Sequence, residues 1–224
     1  MATFSTAPPS PTGGGAVING NGDGTTGTTT PPGDILPPSS NGDQPIGDVY
    51  ASSEAIPCDS RTRDLGIFDG YHGGILTKVR LCELDMPSSG SEDGGKARVN
   101  SRVSGAFASL VDAAKAAGLN PSANSSFRSQ AHQQALWDAN PNPAKVARPG
   151  NSNHQMGLAI DFSMTGTGST SNCKTISGIC TPSVHSDLYD WLRANSCTYG
   201  IRQYNGEFWH FDTLDDSTRS CGAI

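Results

Sequence analysis

At 224 residues the chain has room for one compact domain with or without a tail, and a formal net charge of −6 with 16% charged positions offers no basic stripe for nucleic acid. No apolar run approaches the length of a bilayer span, so no membrane-spanning segment is predicted. The acidity is uneven: the first 50 residues contain Asp23, Asp34, Asp43 and Asp48 and no lysine or arginine, which gives them −4 of the total.

Glycine and proline fill 18 of those first 50 positions, a composition that cannot bury enough apolar surface to offset backbone entropy. Residues 1–55 are therefore predicted to be a disordered, partly extended linker, and residues 56–224 the folded domain. The opening MATFSTAPPSPT has neither the basic nor the apolar region of a signal peptide, so a native export signal is expected to have been removed or another route to be used. Gly13, Gly14 and Gly15 lack a following Gly-Lys-Ser/Thr and form no phosphate loop.

From Cys58 onward the elements can be read in order. GGILTKVRLCEL, β-branched and bounded by glycines, predicts a strand or hairpin arm, and PSSGSEDGG a loop. KARVNSRVSGAFASLVDAAKAAGL sets Val99, Val103, Ala106, Phe107, Leu110, Val111 and Ala114 at helical spacing with Gly118 as a C-terminal cap. SQAHQQALWDAN predicts a second helix stopped by Pro-Asn-Pro, GLAIDFS a short strand, and SDLYDWLRANS a third helix with Leu188, Trp191 and Leu192 on one face. YGIRQYNGEFWHFDT predicts a hairpin turning at Asn205-Gly206. Helices mixed with antiparallel-looking strands make the fold class α+β.

Six cysteines, none in a Cys-x-x-Cys pair, read as three disulfides of an oxidising compartment rather than as a metal or redox motif. Sequential pairing, Cys58–Cys82, Cys173–Cys180 and Cys197–Cys221, is the simplest connectivity; free buried thiols are the alternative.

A zinc hydrolase needs three ligands of the His/Asp/Glu type, an open position for water and a nearby base. Among five histidines, His154 lies seven residues before Asp161, a carboxylate interrupting an apolar strand between Ile160 and Phe162. Its burial is costly unless a cation pairs with it. A metal shared with His154 would serve, and Gly157 would let the chain bend back; a plain hydrogen bond between the two is the other reading. His210 follows Glu207 by three residues, with Phe208 and Trp209 as a dry wall that would raise the carboxylate's basicity. Positions three apart face opposite sides of a regular strand, so the pair converges only at a bulge or strand end. Arg128 could polarise a carbonyl or bind a terminal carboxylate, or simply pair with a surface acid. His132 and His185 fall on predicted helices without ligand companions, and His72 lies in a glycine-rich stretch; these three are taken as structural or surface residues, His72 with a possible place in a substrate cleft.

SSFRSQAHQ at 125–133, SNHQMGLAID at 152–161 and EFWH at 207–210, with WLRANSCTYGIRQY between, resemble the motifs of the VanY-like zinc D-alanyl-D-alanine carboxypeptidases, in that family's order and over roughly residues 97–212. The resemblance implies zinc ligands at His154, Asp161 and His210, a base at Glu207 that activates the zinc-bound water, and Arg128 stabilising the oxyanion. It also implies that Ser125, Ser129 and Gln133 shape the peptide site. The implied fold is a small central antiparallel sheet flanked by helices, of the DD-carboxypeptidase/hedgehog-like type. The chain departs from the pattern at Phe127, where Tyr is usual, at Asn153, where an acid is frequent, and in the HFDT that follows the last ligand.

The function so implied is zinc-dependent removal of a terminal D-alanine from peptidoglycan stem peptides by an extracytoplasmic, cell-envelope or secreted monomer. A cell-wall endopeptidase of the same fold and a non-catalytic zinc-containing binding module are the alternatives. Glu207 and Arg128 argue against the last, since a binding module has no use for a placed base.

Overall fold

The structure, a computed structural model, describes residues 49–90, 92–164 and 173–222. The expected linker lies outside the described residues as far as residue 48. Its last residues, 49–55, are held against the domain: the Ser53 N–H donates to the Lys78 carbonyl at 3.1 Å, and the Ser53 hydroxyl accepts from the Arg80 N–H at 3.0 Å.

β1 (Arg63–His72) and β2 (Ile75–Pro87) form an antiparallel hairpin with His72 opposite Ile75. Its two-residue turn, Gly73-Gly74, has φ of 58° and 78°, the left-handed pair that matches strand twist and that side chains with a Cβ resist. β3 (Lys96–Asn100) adds to β2 on the other side, with Val99 opposite Cys82. Here the sequence reading is corrected: the segment from Lys96 begins as a strand, and helix starts only at α1 (Ser101–Ala116). The switch is local, because the Asn100 side chain accepts the Arg102 N–H and caps the helix while the residues before it remain paired to β2. Gly118, at φ 80°, ends α1 as predicted.

β4 (Ala123–Ser125) leads into α2 (Gln130–Ala139), capped by Ser129. A single 3₁₀ turn, Asn153–Met156, precedes β5 (Ala159–Phe162). β6 (Cys173–Ile176) and β7 (Ile179–Pro182) form a small hairpin that the sequence reading does not contain. α3 (Asp187–Asn195) is capped by Ser186, and β8 (Arg202–Tyr204), β9 (His210–Asp212) and β10 (Arg219–Ser220) close the chain. The strands divide into antiparallel sheets in the orders β1-β2-β3, β10-β8-β9-β5-β4 and β6-β7. With three helices this is the expected α+β class.

The core runs between β2, α1 and the strands that carry the site. Val79, Leu81, Leu84 and Met86 from β2, Phe107 and Leu110 from α1, Ile160 and Phe162 from β5 and Phe211 from β9 are all buried in one cluster. Burial of each such side chain is worth about 1.5–3 kcal/mol. All three disulfides pair sequentially, as the simplest connectivity predicts. Among the described residues no helix is long and apolar enough to cross a membrane.

Candidate metal centre

Three distant segments meet in the five-stranded sheet. Asp161 on β5 lies directly opposite His210 on β9. His154 arrives from the 3₁₀ turn, and Gly157, at φ 68°, reverses the chain between His154 and Asp161. A Cβ at Gly157 would stand 2.8 Å from the Asn100 nitrogen, so glycine is required by space as well as by conformation. All three side chains are buried.

Their donor atoms face one point. His154 Nε2 is 3.2 Å from Asp161 Oδ1 and 3.2 Å from His210 Nδ1, and His210 Nδ1 is 2.9 Å from Asp161 Oδ1. Ligands held tetrahedrally at zinc bond lengths stand about 3.3 Å apart, so the triangle has the size such an ion needs. The outward atoms fit as well. His154 Nδ1 lies 2.7 Å from the Ser126 carbonyl, which can only accept, so the proton sits on Nδ1 and Nε2 offers its lone pair. His210 Nε2 lies 3.3 Å from the Asp212 carboxylate, which leaves Nδ1 for the centre. Asp161 Oδ2 accepts from Arg128 Nη2 at 2.7 Å.

Electrostatics drive the two rings in opposite directions. Burial, then the Arg128 charge, takes His154 down to about 4. Burial also opposes charge on His210, but hydrogen bonds to Asp161 and Asp212 win and hold it up to about 10. Burial likewise works against the Asp161 carboxylate, and the facing His154 and His210 outweigh it, so its pKa falls well below the ordinary value. The centre thus brings together three convergent donors, a set that suits a divalent cation.

Glu207 lies beside the triad, with Oε2 3.9 Å from His210 Nδ1. The expected facing problem does not arise, because Glu207 precedes β9. Successive turns, Glu207 N–H to Tyr204 C=O at 3.1 Å and His210 N–H to Glu207 C=O at 3.4 Å, bring the pair together. The connection from β8 to β9 is accordingly longer than a two-residue Asn-Gly hairpin. Burial raises the Glu207 pKa above the ordinary carboxylate value; the His210 charge opposes this and the Asp161 charge adds to it. Glu207, Arg128, His154, Asp161 and His210 line a cleft of about 560 Å³ together with Lys145, Asn153, Tyr204 and Trp209.

Ser125, Ser129 and Gln133 lie behind this wall rather than in it. Ser125 Oγ accepts from Arg128 Nε at 2.8 Å, and Gln133 Oε1 from Arg128 Nη1 at 3.4 Å. The Ser129 hydroxyl accepts the His132 N–H at the start of α2 and donates to Glu92. His132 pairs with Glu92 at 3.0 Å, His185 with Asp190 at 2.6 Å, and His72 stacks on Tyr50 with ring centroids 3.4 Å apart; none of the three lines the cleft.

The sequence reading missed Asp212, which is fully buried and accepts from Arg219 Nη2 at 2.5 Å and from Asn153 Nδ2 at 3.0 Å as well as facing His210. A signal for it existed: a carboxylate two residues after a ligand histidine shares its strand face. Asn153, noted as a departure from the family pattern, is used here as a donor to that carboxylate.

An α+β domain of small antiparallel sheets with a buried His/His/Asp centre and an adjoining glutamate belongs to the class of proteins that can hold a catalytic divalent ion. A family model described as D-alanyl-D-alanine carboxypeptidase, VanY, matches residues 96–212, and the chain belongs to that family. A D-alanyl-D-alanine carboxypeptidase of Enterococcus faecalis is 30% identical over 156 residues, 58% of this chain and 51% of that protein, so the chain spans about half the length of this curated relative. Two solved structures are similar. The LdcB LD-carboxypeptidase is 27% identical, with 59% of this chain and 66% of that one covered at a TM-score of 0.45. A mutant of the vancomycin-resistance D,D-pentapeptidase VanY in complex with Zn(II) is 26% identical, with 57% and 78% covered at a TM-score of 0.38.

Proposed function

We propose that the domain is a zinc-dependent carboxypeptidase that removes a terminal D-alanine from peptidoglycan stem peptides outside the cytoplasm. The observation that carries this reading is the convergence of His154, Asp161 and His210, whose donor atoms lie within 4.8 Å of one another, with Glu207 beside them in the same cleft. Family membership supports the substrate class, and the bonding of all six cysteines supports an oxidising compartment.

His154, Asp161 and His210 would hold the ion, which when bound supplies Lewis-acid activation of water and of the scissile carbonyl. Glu207 accepts the proton of the attacking water and returns it to the leaving amine; its burial keeps it basic enough for the first step. Arg128, bound on one side to Asp161, presents its guanidinium to the oxygen that gains charge as the carbonyl carbon becomes tetrahedral. Ser125 and Gln133 hold that guanidinium in place.

The test is mass spectrometry of purified muropeptides incubated with the zinc-loaded protein and with Glu207→Gln. The wild type is expected to release single D-alanine, and the variant to keep its zinc while turnover falls about 10²–10⁴-fold. Cleavage within the stem or cross-bridge would make the domain an endopeptidase, and no cleavage a binding module. Near-normal turnover by Glu207→Gln would remove Glu207 from the base role.

A further inference from the structure

Two adjacent acids from the loop between β2 and β3, outside the family-matched residues, reach the segment that carries Arg128. Asp93 is 1% exposed and accepts two hydroxyl bonds, from Ser126 at 2.6 Å and from Ser88 at 2.5 Å. Glu92 accepts the Ser129 hydroxyl on Oε1 at 2.6 Å and the Ser129 N–H on Oε2 at 2.8 Å, and Oε2 also pairs with His132. Ser126 and Ser129 bracket Phe127 and Arg128. The Ser126 carbonyl is also the group that receives the His154 Nδ1 proton, and the Arg128 N–H donates to the His154 carbonyl at 3.0 Å.

We infer that Glu92 and Asp93 are positioning residues of the site: Glu92 fixes Arg128 through Ser129, and Asp93 fixes His154 through Ser126. Neither acid lines the cleft, so neither touches substrate. Asp93 satisfies two hydroxyls in a place where water is shut out, and its loss would leave the Ser126 hydroxyl held only by the Arg98 N–H, at 2.8 Å. Glu92 sits at the amino end of α2, where its charge is also favoured by the helix dipole, so it ties the start of α2 and the Arg128 backbone to one point. A guanidinium misplaced by about 1 Å costs roughly 100-fold in rate, which makes such remote supports measurable.

The inference rests on the proposed role of Arg128, and a double-mutant cycle on the full chain separates the two. Arg128→Ala alone must lower kcat; if it does not, the proposed role of Arg128 fails and the Glu92 inference fails with it. Glu92→Ala is expected to lower kcat about 10–100-fold with KM and zinc retention unchanged, and to have almost no further effect in the Arg128→Ala background. Multiplying losses, or a fall in melting temperature with normal kcat, would show Glu92 to be a general support of the fold and overturn the inference. Asp93→Asn, which keeps a side chain of the same shape beside Ser126 and Ser88, is expected to weaken zinc retention against a chelator about 10–100-fold. Unchanged zinc retention in folded Asp93→Asn would overturn the second half.

Discussion

β1, β2 and β3 run for 10, 13 and 5 residues, whereas no strand of the five-stranded sheet exceeds 4. β2 buries Val79, Leu81, Cys82, Leu84 and Met86 and leaves the positions between them partly or fully open to solvent. β5 and β9 are buried at every position, yet they carry Asp161, His210 and Asp212. The first sheet holds itself together by register and apolar contact. The second adds to its buried Ile160, Phe162 and Phe211 a set of polar groups that satisfy one another inside the core, and each of its short strands depends on its neighbours for position. A protein can therefore lose much of the second arrangement's chemistry while the first still folds.

The largest expected effect breaks the second region alone. Asp161→Ala should abolish metal retention and turnover, while circular dichroism still reports the native helices and sheets; unfolding of the whole domain would show that the centre is a folding element too. A smaller effect falls on the first region. Leu81→Ala, at a fully buried β2 position, should cost about 2–5 kcal/mol in denaturant unfolding with kcat of the folded protein unchanged. The finest comparison uses the crosslinks. Cys58–Cys82 and Cys197–Cys221 both span 24 residues, so removing either pair by alanine substitution should cost a similar ~2–4 kcal/mol of stability. Only loss of Cys197–Cys221 should also weaken zinc retention, because Cys221 follows β10, the strand whose Arg219 holds Asp212 against His210. Equal effects on zinc from both pairs would erase the distinction between the regions.

The same contrast explains what the sequence disclosed. β2, α1 from Ser101, α2 and α3 declare themselves by β-branched composition, helical spacing and capping residues, all local signals, whereas β1 was not read. The start of α1 was misplaced because Val99 fits both a helical stripe and a strand paired to β2, and only Cys82 opposite it decides. β6 and β7 were missed because they are four residues each, with β6 exposed throughout. In the site, the three proposed ligands, Glu207 and Arg128 were legible through motifs, and their convergence follows from Gly157 and the turns after Tyr204. Asp212 was overlooked although its place two residues after His210 offered a signal; Arg219, Glu92 and Asp93 were not legible, because each acts on a residue distant in sequence and nothing in its own neighbours announces that partner. Ser125, Ser129 and Gln133 were read as shaping the peptide site; the first and last accept from Arg128, and Ser129 caps α2.

Arg219 also sets an order of events. Asp212 is turned toward His210 while held by Arg219, and Arg219 lies on a strand fixed by pairing with β8 and by the neighbouring Cys221 bridge. A chain emerging amino end first can pair β1, β2 and β3 and lay α1 on β2 early, since those pairings lie within residues 63–116. His154 and Asp161 follow without their third companion. Residues 210–221 and the last bridge come after these, so the third proposed ligand and the Asp212–Arg219 pair that faces it join the centre last. Metal retention is therefore expected to be gained late in synthesis, once the last of the described strands is in place.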